Sequence, residues 1–477
     1  MSYYAIDFGD KQILVSRVNG NQIVLVKNLK QVDVHETFKK VNFDKKLDMS
    51  YKLMPYMFKI IYICIHTSSL CNLSCTYCFL KDKSKSAPMN IHRAIKFIDY
   101  IIAHYPHAEK YIVDLTGSGE PLLNMDMITQ IGEYCKTKSN EIRKEILPML
   151  VTNGTLLSKD NVHGLRNAGI LFGVSIDGTK KMHNSTRKKS NNQGTYKSVI
   201  KNVKGVKDRT LIGAAVTLTE ANQNVRKVLK HLIQFFPTIS IKPVRGVNEA
   251  RGIHESNIGN VKSEYSNLSD FILRKTLKRN FSYLAALLNG DDYFGKFILR
   301  VILNQKVVSR CDAGVGRFSL AGNGKIYACP AAINIEPLEI GDSTKGIDLI
   351  KQKKITSILS NQERCMNCRA RFVCGGECMV TSYYANGKIS SIDPIMCEFK
   401  LHLFDLAVQL KFSIATQNRD IYDIVYRGCK DKSDRFKEDR DLSETLKKNQ
   451  EYLFTELKAI KDNDITLYEK IKKEEIK

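Results

Sequence analysis

Ten of the thirteen cysteines in this 477-residue chain fall into two groups, and that distribution limits what the chain can fold around. Cys71, Cys75 and Cys78 form a C-x3-C-x2-C run inside "SSLCNLSCTYCFLKDKS". Cys311, Cys329, Cys365, Cys368, Cys374, Cys378 and Cys397 form the second group. Cys64, Cys135 and Cys429 are scattered and read as ordinary core or surface thiols. The N-terminus, "MSYYAIDFGDKQ", lacks a basic stretch followed by an apolar one, so no secretory signal is expected. No apolar run reaches the roughly 18 residues that span a bilayer. A cytoplasmic location follows as the expectation. In a reducing compartment, clustered cysteines point to metal or redox chemistry rather than to disulfides. Three thiols leave a metal centre one ligand short. A zinc ion borrowing a distant fourth ligand would close it, and an iron–sulfur cube with one open iron would use the gap.

Between the groups the pattern is alternating strand and helix. "IIYICIH" (60–66), "YIVDL" (111–115), "LPMLV" (147–151), "ILFGVSI" (170–176), "LIGAAV" (211–216) and "TISI" (238–241) read as six strands. Helical spacing in "INIHRAIKFIDYIIAHY" and near 124–138, 158–168, 195–207 and 222–236 fills the gaps, with Ser158 as an N-cap. Repeated βα units predict a parallel sheet with helices outside it, as an open sheet or a partial barrel. Chemistry then sits at the C-terminal ends of the strands. The cysteine triplet follows the first of these strands directly. Residues 1–30 read as hairpin strands with Gly-Asp and Asn-Gly turns, a helix is plausible near 35–41, and 42–58 reads as a linker. Residues 243–310 carry helical pattern, 311–397 are loop-rich and need metal to hold them, and 398–477 return to charged amphipathic helix.

The first cysteine run, with Tyr77 before its last cysteine, resembles the signature of the radical S-adenosylmethionine (SAM) enzymes. That resemblance implies a [4Fe–4S] cluster on Cys71, Cys75 and Cys78, with SAM chelated to the fourth iron. One electron then cleaves SAM to a 5′-deoxyadenosyl radical that abstracts a substrate hydrogen. "TGSGEPLL" (116–123) resembles the family's GGEP segment, with Ser118 where its first glycine stands. Ser118, Gly119 and Glu120 are thereby expected at the SAM amino group. "VTNGTLL" and "VSIDGTKKMHNSTR" follow the third and fourth strands and line the SAM pocket in relatives. By the same resemblance Tyr77, Thr152, Asn153 and Ser175 are cofactor contacts, and Arg187 pairs with the SAM carboxylate. Val216 and Leu218 are candidate adenine contacts, or plain core. Asp177 reads as a turn residue in an Asp-Gly pair. No catalytic base is assigned.

The second group resembles the SPASM domain, C-x9–15-G-x4-C, then C-x2-C-x5-C-x3-C, then C. Twelve residues separate Cys311 from Gly324, and Gly324 stands five before Cys329. A zinc ribbon of two C-x2-C pairs does not account for seven ligands. The resemblance implies two auxiliary [4Fe–4S] clusters, one on Cys365, Cys368, Cys374 and Cys397, the other on Cys311, Cys329 and Cys378. The fourth position of the latter is left to an open iron, to Asp312 or to a substrate thiolate.

The expected fold is therefore α/β: a radical SAM partial (β/α)6 barrel over 59–242, a helical bridge over 243–310, a SPASM domain over 311–397 and helices over 398–477. Residues 1–58 form a small β-rich segment that could hold a partner or a leader peptide. SPASM-containing relatives mostly modify peptides or proteins. Within that family the chain resembles peptide maturases such as sactisynthases and thioether-forming enzymes. The expected activity is thioether or carbon–carbon crosslinking in a ribosomally synthesised peptide, one that contains cysteine. The alternative is formylglycine formation by an anaerobic sulfatase-maturing enzyme, or other protein oxidation. The net charge of +24 would suit an acidic peptide, although a lysine-biased composition explains it equally well. No nucleic-acid module is visible, and neither a nucleic-acid nor a membrane partner is expected. A flavodoxin- or ferredoxin-type electron donor is implied, because SAM cleavage needs a low-potential electron.

Overall fold

In the computed structural model, β-branched runs make strands where their apolar residues can be covered on both faces. The structure describes residues 3–8, 11–16, 23–26, 58–78 except 68, 88–206, 213–244 and 252–438, the last without 290, 291, 306, 308, 361–364, 366 and 367. The helix expected near 35–41 and the charged tail lie outside these residues. An antiparallel meander opens the chain: β1 (Tyr3–Phe8), β2 (Lys11–Ser16) and β3 (Ile23–Val26), with Ile6 opposite Ile13 and Ile13 opposite Leu25. Ile13 and Val15 are fully buried and join the principal core.

The six expected strands follow: β4 (Ile60–Ile65), β5 (Lys110–Asp114), β6 (Glu145–Thr152), β7 (Leu171–Ser175), β8 (Gly213–Leu218) and β9 (Thr238–Pro243). Each is parallel to the next. The connecting helices are α1 (Ile91–His104), α2 (Met125–Ile142), α3 (Lys159–Asn167), α4 (Lys180–Thr186), α5 (Tyr196–Gly205) and α6 (Val225–Leu232). Ser158 caps α3 by accepting from the Asn161 amide at 3.0 Å. The period-two alternation of strands sorts the side chains. Ile61, Ile63, Ile65, Val113, Leu150 and Val174 face the helices in the large core. Ile60, Tyr62, Ile112, Leu147, Met149 and Leu171 form a separate small cluster on the concave face.

Three bridging helices come next, α7 (Ile258–Leu277), α8 (Ser282–Asn289) and α9 (Tyr293–Ile302). The cysteine-rich segment then returns to the sheet. Its β10 (Arg317–Leu320) pairs in parallel with β4, Arg317 beside Tyr62 and Ser319 beside Cys64. Then β11 (Lys325–Tyr327), β12 (Glu339–Asp342) and β13 (Gly346–Ile347) add on antiparallel. The result is one open ten-stranded sheet, β13-β12-β11-β10-β4-β5-β6-β7-β8-β9, rather than a closed barrel. Helices α10 (Leu349–Ser360), α11 (Arg371–Cys374) and α12 (Met379–Asn386) lie within the cysteine-rich part. Two long helices end the described chain, α13 (Pro394–Gln417) and α14 (Arg419–Glu438). Phe399 of α13 meets Tyr265 of α7 edge-on, ring centroids 5.1 Å apart. Among the described residues no helix is long and apolar enough to cross a membrane.

Candidate functional site

The C-terminal ends of β4 to β7 bring the first motif segments together. The cysteine loop after β4 is pinned from two sides. The Ser74 amide donates to the Lys188 carbonyl (2.7 Å) and the Thr76 amide to the Thr186 carbonyl (2.9 Å). On the other side, Asn153 Nδ2 donates to Asn72 Oδ1 (2.7 Å), and Asn72 Nδ2 donates to Thr155 Oγ1 (2.9 Å). Within the loop the Cys78 amide donates to the Cys75 carbonyl (3.1 Å) and the Leu73 amide to Cys71 Sγ (3.4 Å). The three thiols are unpaired in disulfides and half-buried. Burial pushes the Cys75 thiol up to about 11, with the Arg187 guanidinium opposing. Among the described residues no three metal-ligating side chains close on one ion. A multi-iron cluster needs its ligands spread wider than a single ion does. The all-thiol donor set, with a backbone N–H already aimed at one sulfur, suits such a cluster.

Glu120 begins the turn after β5 and is 1% exposed. Its carboxylate accepts from Thr152 Oγ1 (2.5 Å), the Asn153 amide (2.7 Å) and the Leu122 amide (3.2 Å), and its own amide donates to the Leu70 carbonyl (2.7 Å). Burial raises its pKa and these donors oppose the rise. Glu120 therefore ties the β5, β6 and cysteine loops together, rather than standing free for a ligand. Ser118 is buried beside it. Gly117 holds φ +63°, and a Cβ there would lie 3.3 Å from the Thr67 amide nitrogen. That close approach lets the Gly117–Glu120 turn pack under the start of the cysteine loop. Ser175, at the end of β7, is half-buried on the concave side.

Asp177 is the residue the sequence hid. It is fully buried, and its Oδ2 accepts from Tyr77 OH (2.7 Å), Arg187 Nε (2.8 Å) and Thr186 Oγ1 (3.2 Å). Its Oδ1 accepts from the Thr217 amide (3.0 Å). The Arg187 guanidinium also lies over the Tyr77 ring, 5.4 Å from the centroid. Tyr77 and Arg187, both expected as cofactor contacts, thus spend these side-chain groups on Asp177. Only the remaining guanidinium nitrogens of Arg187 are left to reach a carboxylate. Val216 needs correction: its side chain, like that of Leu218, belongs to the helix-facing core, since alternation along β8 turns Ala215 and Thr217 to the concave side. An Asp-Gly pair is the commonest of turn signals, so no local feature marked Asp177 as a hub.

The later cysteines separate into two sets. Cys365, Cys368, Cys374 and Cys397 line one cavity, with Lys400 and Glu377 in its wall. Burial pushes Cys365 up to about 12, and the Cys374, Cys368 and Cys397 thiols add to it. Cys311 lies within electrostatic reach of Cys378, and burial together with Asp312 raises its pKa. Asp312 Oδ1 accepts from Arg317 Nε at 3.0 Å, so its carboxylate is already engaged. Cys64, in register with Asp114 and Ser319, is buried within electrostatic reach of Cys329.

Residues 65–232 match the family model of the Radical SAM superfamily. The chain carries a radical SAM domain, and it is an enzyme. That domain implies a [4Fe–4S] cluster and SAM. Its relatives include a cysteine-type anaerobic sulfatase-maturating enzyme of Clostridium novyi, 24% identical over 353 residues, covering 69% of this chain and 90% of that protein. A serine-type anaerobic sulfatase-maturating enzyme of Klebsiella aerogenes is 22% identical over 65% of this chain and 76% of its own length. Among solved structures, native anSMEcpe with bound AdoMet and Kp18Cys peptide superposes with a TM-score of 0.62 at 19% identity, covering 75% of this chain and 100% of that one.

Proposed function

We propose that this enzyme modifies a peptide or protein side chain by hydrogen-atom abstraction, and that its product is a thioether or carbon–carbon crosslink in a ribosomally made peptide. In this reading Cys71, Cys75 and Cys78 hold the SAM-binding cluster, and Ser118, Gly119, Thr152, Asn153 and Ser175 line the SAM pocket. The bound cluster and SAM supply the radical. The chain's own contribution is placement: Glu120 and Asn72 fix the cysteine loop against β6, and the Asp177 hub fixes it against α4. Cys365, Cys368, Cys374 and Cys397 hold one auxiliary cluster, and Cys311, Cys329 and Cys378 hold a second with one open position. The observation that carries the crosslinking reading is that three-thiol set. Asp312, the nearest alternative ligand, is paired with Arg317, so a substrate thiolate is the natural fourth ligand. The kinship with cysteine-type sulfatase-maturating enzymes supports the second reading, oxidation of a substrate cysteine to formylglycine.

Mass spectrometry of a cysteine-containing precursor peptide, incubated anaerobically with reconstituted enzyme, SAM and reductant, separates the two. A crosslink removes two hydrogens and keeps the sulfur, with the thiol consumed in a thioether and left free beside a carbon–carbon bond. Formylglycine formation removes two hydrogens and also replaces sulfur by oxygen. Cys75→Ala is expected to abolish SAM cleavage; cleavage at the parent's rate would sink the catalytic assignment.

A further inference from the structure

Between the two later cysteine sets lies the run Cys374-Gly375-Gly376-Glu377-Cys378. Cys374 belongs to the four-thiol cavity and Cys378 to the three-thiol set. Gly375 and Gly376 hold φ of 74° and 101°, which makes this run a tight reversal. A Cβ on Gly375 would lie 2.5 Å from the Arg310 amide nitrogen. Inside the reversal is an ion pair, Glu377 Oε2 to Lys400 Nζ at 2.6 Å, with side chains 2% and 3% exposed. Both side chains stand in the wall of the four-thiol cavity. Glu377 Oε1 also accepts from the Cys378 amide at 2.7 Å, which fixes the anion. Lys400 Nζ approaches the Gly376 carbonyl at 3.4 Å and lies in the wall of the four-thiol cavity. Arg371 also lines that cavity, and the Arg310 guanidinium is held by the Tyr293 hydroxyl and ring.

A buried ion pair contributes little net stability compared with apolar residues of the same shape, because both charges lose their water. A four-thiolate cluster carries net negative charge and gains more on reduction. A fixed cation beside it favours the reduced form, and net charge is one of the levers that set cluster potentials. We propose that the Glu377–Lys400 pair is a fixed dipole beside the four-thiol cluster site, and that its Lys400 end raises that cluster's reduction potential. The inference rests on reading both cysteine sets as cluster sites.

The test uses the full chain carrying Cys71→Ala, Cys75→Ala and Cys78→Ala, reconstituted with iron and sulfide, in a redox titration followed by electron paramagnetic resonance. In that background, Lys400→Met is expected to make the four-thiol cluster tenfold harder to reduce at the parent's midpoint, about 59 mV for a one-electron couple. Lys400→Arg, which keeps the charge, stays within threefold. Glu377→Gln, which removes the counter-anion, shifts the same couple the opposite way. Lys400→Met with the parent's iron content and a couple within threefold of the parent overturns the dipole. If Lys400→Met does not retain iron, an unmoved couple in Glu377→Gln overturns it instead. A parent that binds no iron at these sites overturns the cluster reading itself, and the dipole with it.

Discussion

At the scale of single residues, the site is organised around a fully buried carboxylate. Asp177 gathers a tyrosine hydroxyl, a guanidinium, a threonine hydroxyl and a backbone amide, and three of those donors come from the cysteine loop and the end of α4. Removing one partner of a buried ion pair strands the other and costs about 3–5 kcal/mol. Asp177→Asn is therefore expected to lower the stability of the cluster-free protein by about that much in urea unfolding. Tyr77→Phe removes one hydrogen bond to a charged group, for about 1.5–3 kcal/mol. Because the two share one contact, the double variant should lose less than the sum. Strict additivity would show that Tyr77 and Asp177 do not act as a unit. The sequence revealed the cysteines by their spacing and Glu120 by the resemblance of its segment to a family motif. It could not reveal Asp177, whose role comes from donors nine to a hundred residues away.

At the scale of elements, β4 to β9 were legible because each carries a short apolar run between stretches of helical pattern, and α1 because its apolar residues recur at helical spacing. The short helix α4 was not, since seven residues hold no periodic pattern and tertiary bonds fix it. Its buried His183 accepts from the Asp177 amide at Nδ1 (3.3 Å), which leaves Nε2 protonated to donate to Thr195 Oγ1 (2.9 Å). The Thr195 hydroxyl passes the chain on to the Arg187 carbonyl (3.2 Å). Burial lowers the His183 pKa from 6.5 to about 4, partly opposed by Asp177. The unfolded chain takes up a proton near pH 6.5, while the folded chain resists until about 4. The unfolded state therefore binds more protons in that window, and stability falls as the pH falls. The full shift corresponds to about 3 kcal/mol. In urea unfolding of the cluster-free protein between pH 7.5 and 4.5, His183→Asn should start less stable and lose less across the window. Parallel pH profiles for parent and variant would refute this role.

For the whole molecule, the segment borders drawn from the sequence follow changes of pattern, while the core ignores them. Cysteine spacing marks residue 311, yet the sheet crosses it: the Tyr62 amide donates to the Gly316 carbonyl (2.8 Å) and the His66 amide to the Leu320 carbonyl (3.1 Å). Strand β10 is only four residues long, too short for alternation to declare which strand it joins. Val315, Phe318, Leu320, Ile326 and Ile340 are fully buried in the same core as Ile61, Ile63 and Ile65. At about 1.5–3 kcal/mol for each buried apolar side chain, they contribute on the order of 10 kcal/mol. That equals the whole net stability of an ordinary domain, about 5–15 kcal/mol. Without them β4 also becomes an exposed, apolar sheet edge. Residues 59–242 expressed alone should accordingly show no cooperative urea transition by circular dichroism and should aggregate, whereas the chain through residue 438 should unfold cooperatively. A soluble 59–242 fragment with a sharp transition would mean that the radical SAM core is complete without the cysteine-rich segment, and the shared sheet would then be a docking of two independent units rather than one fold.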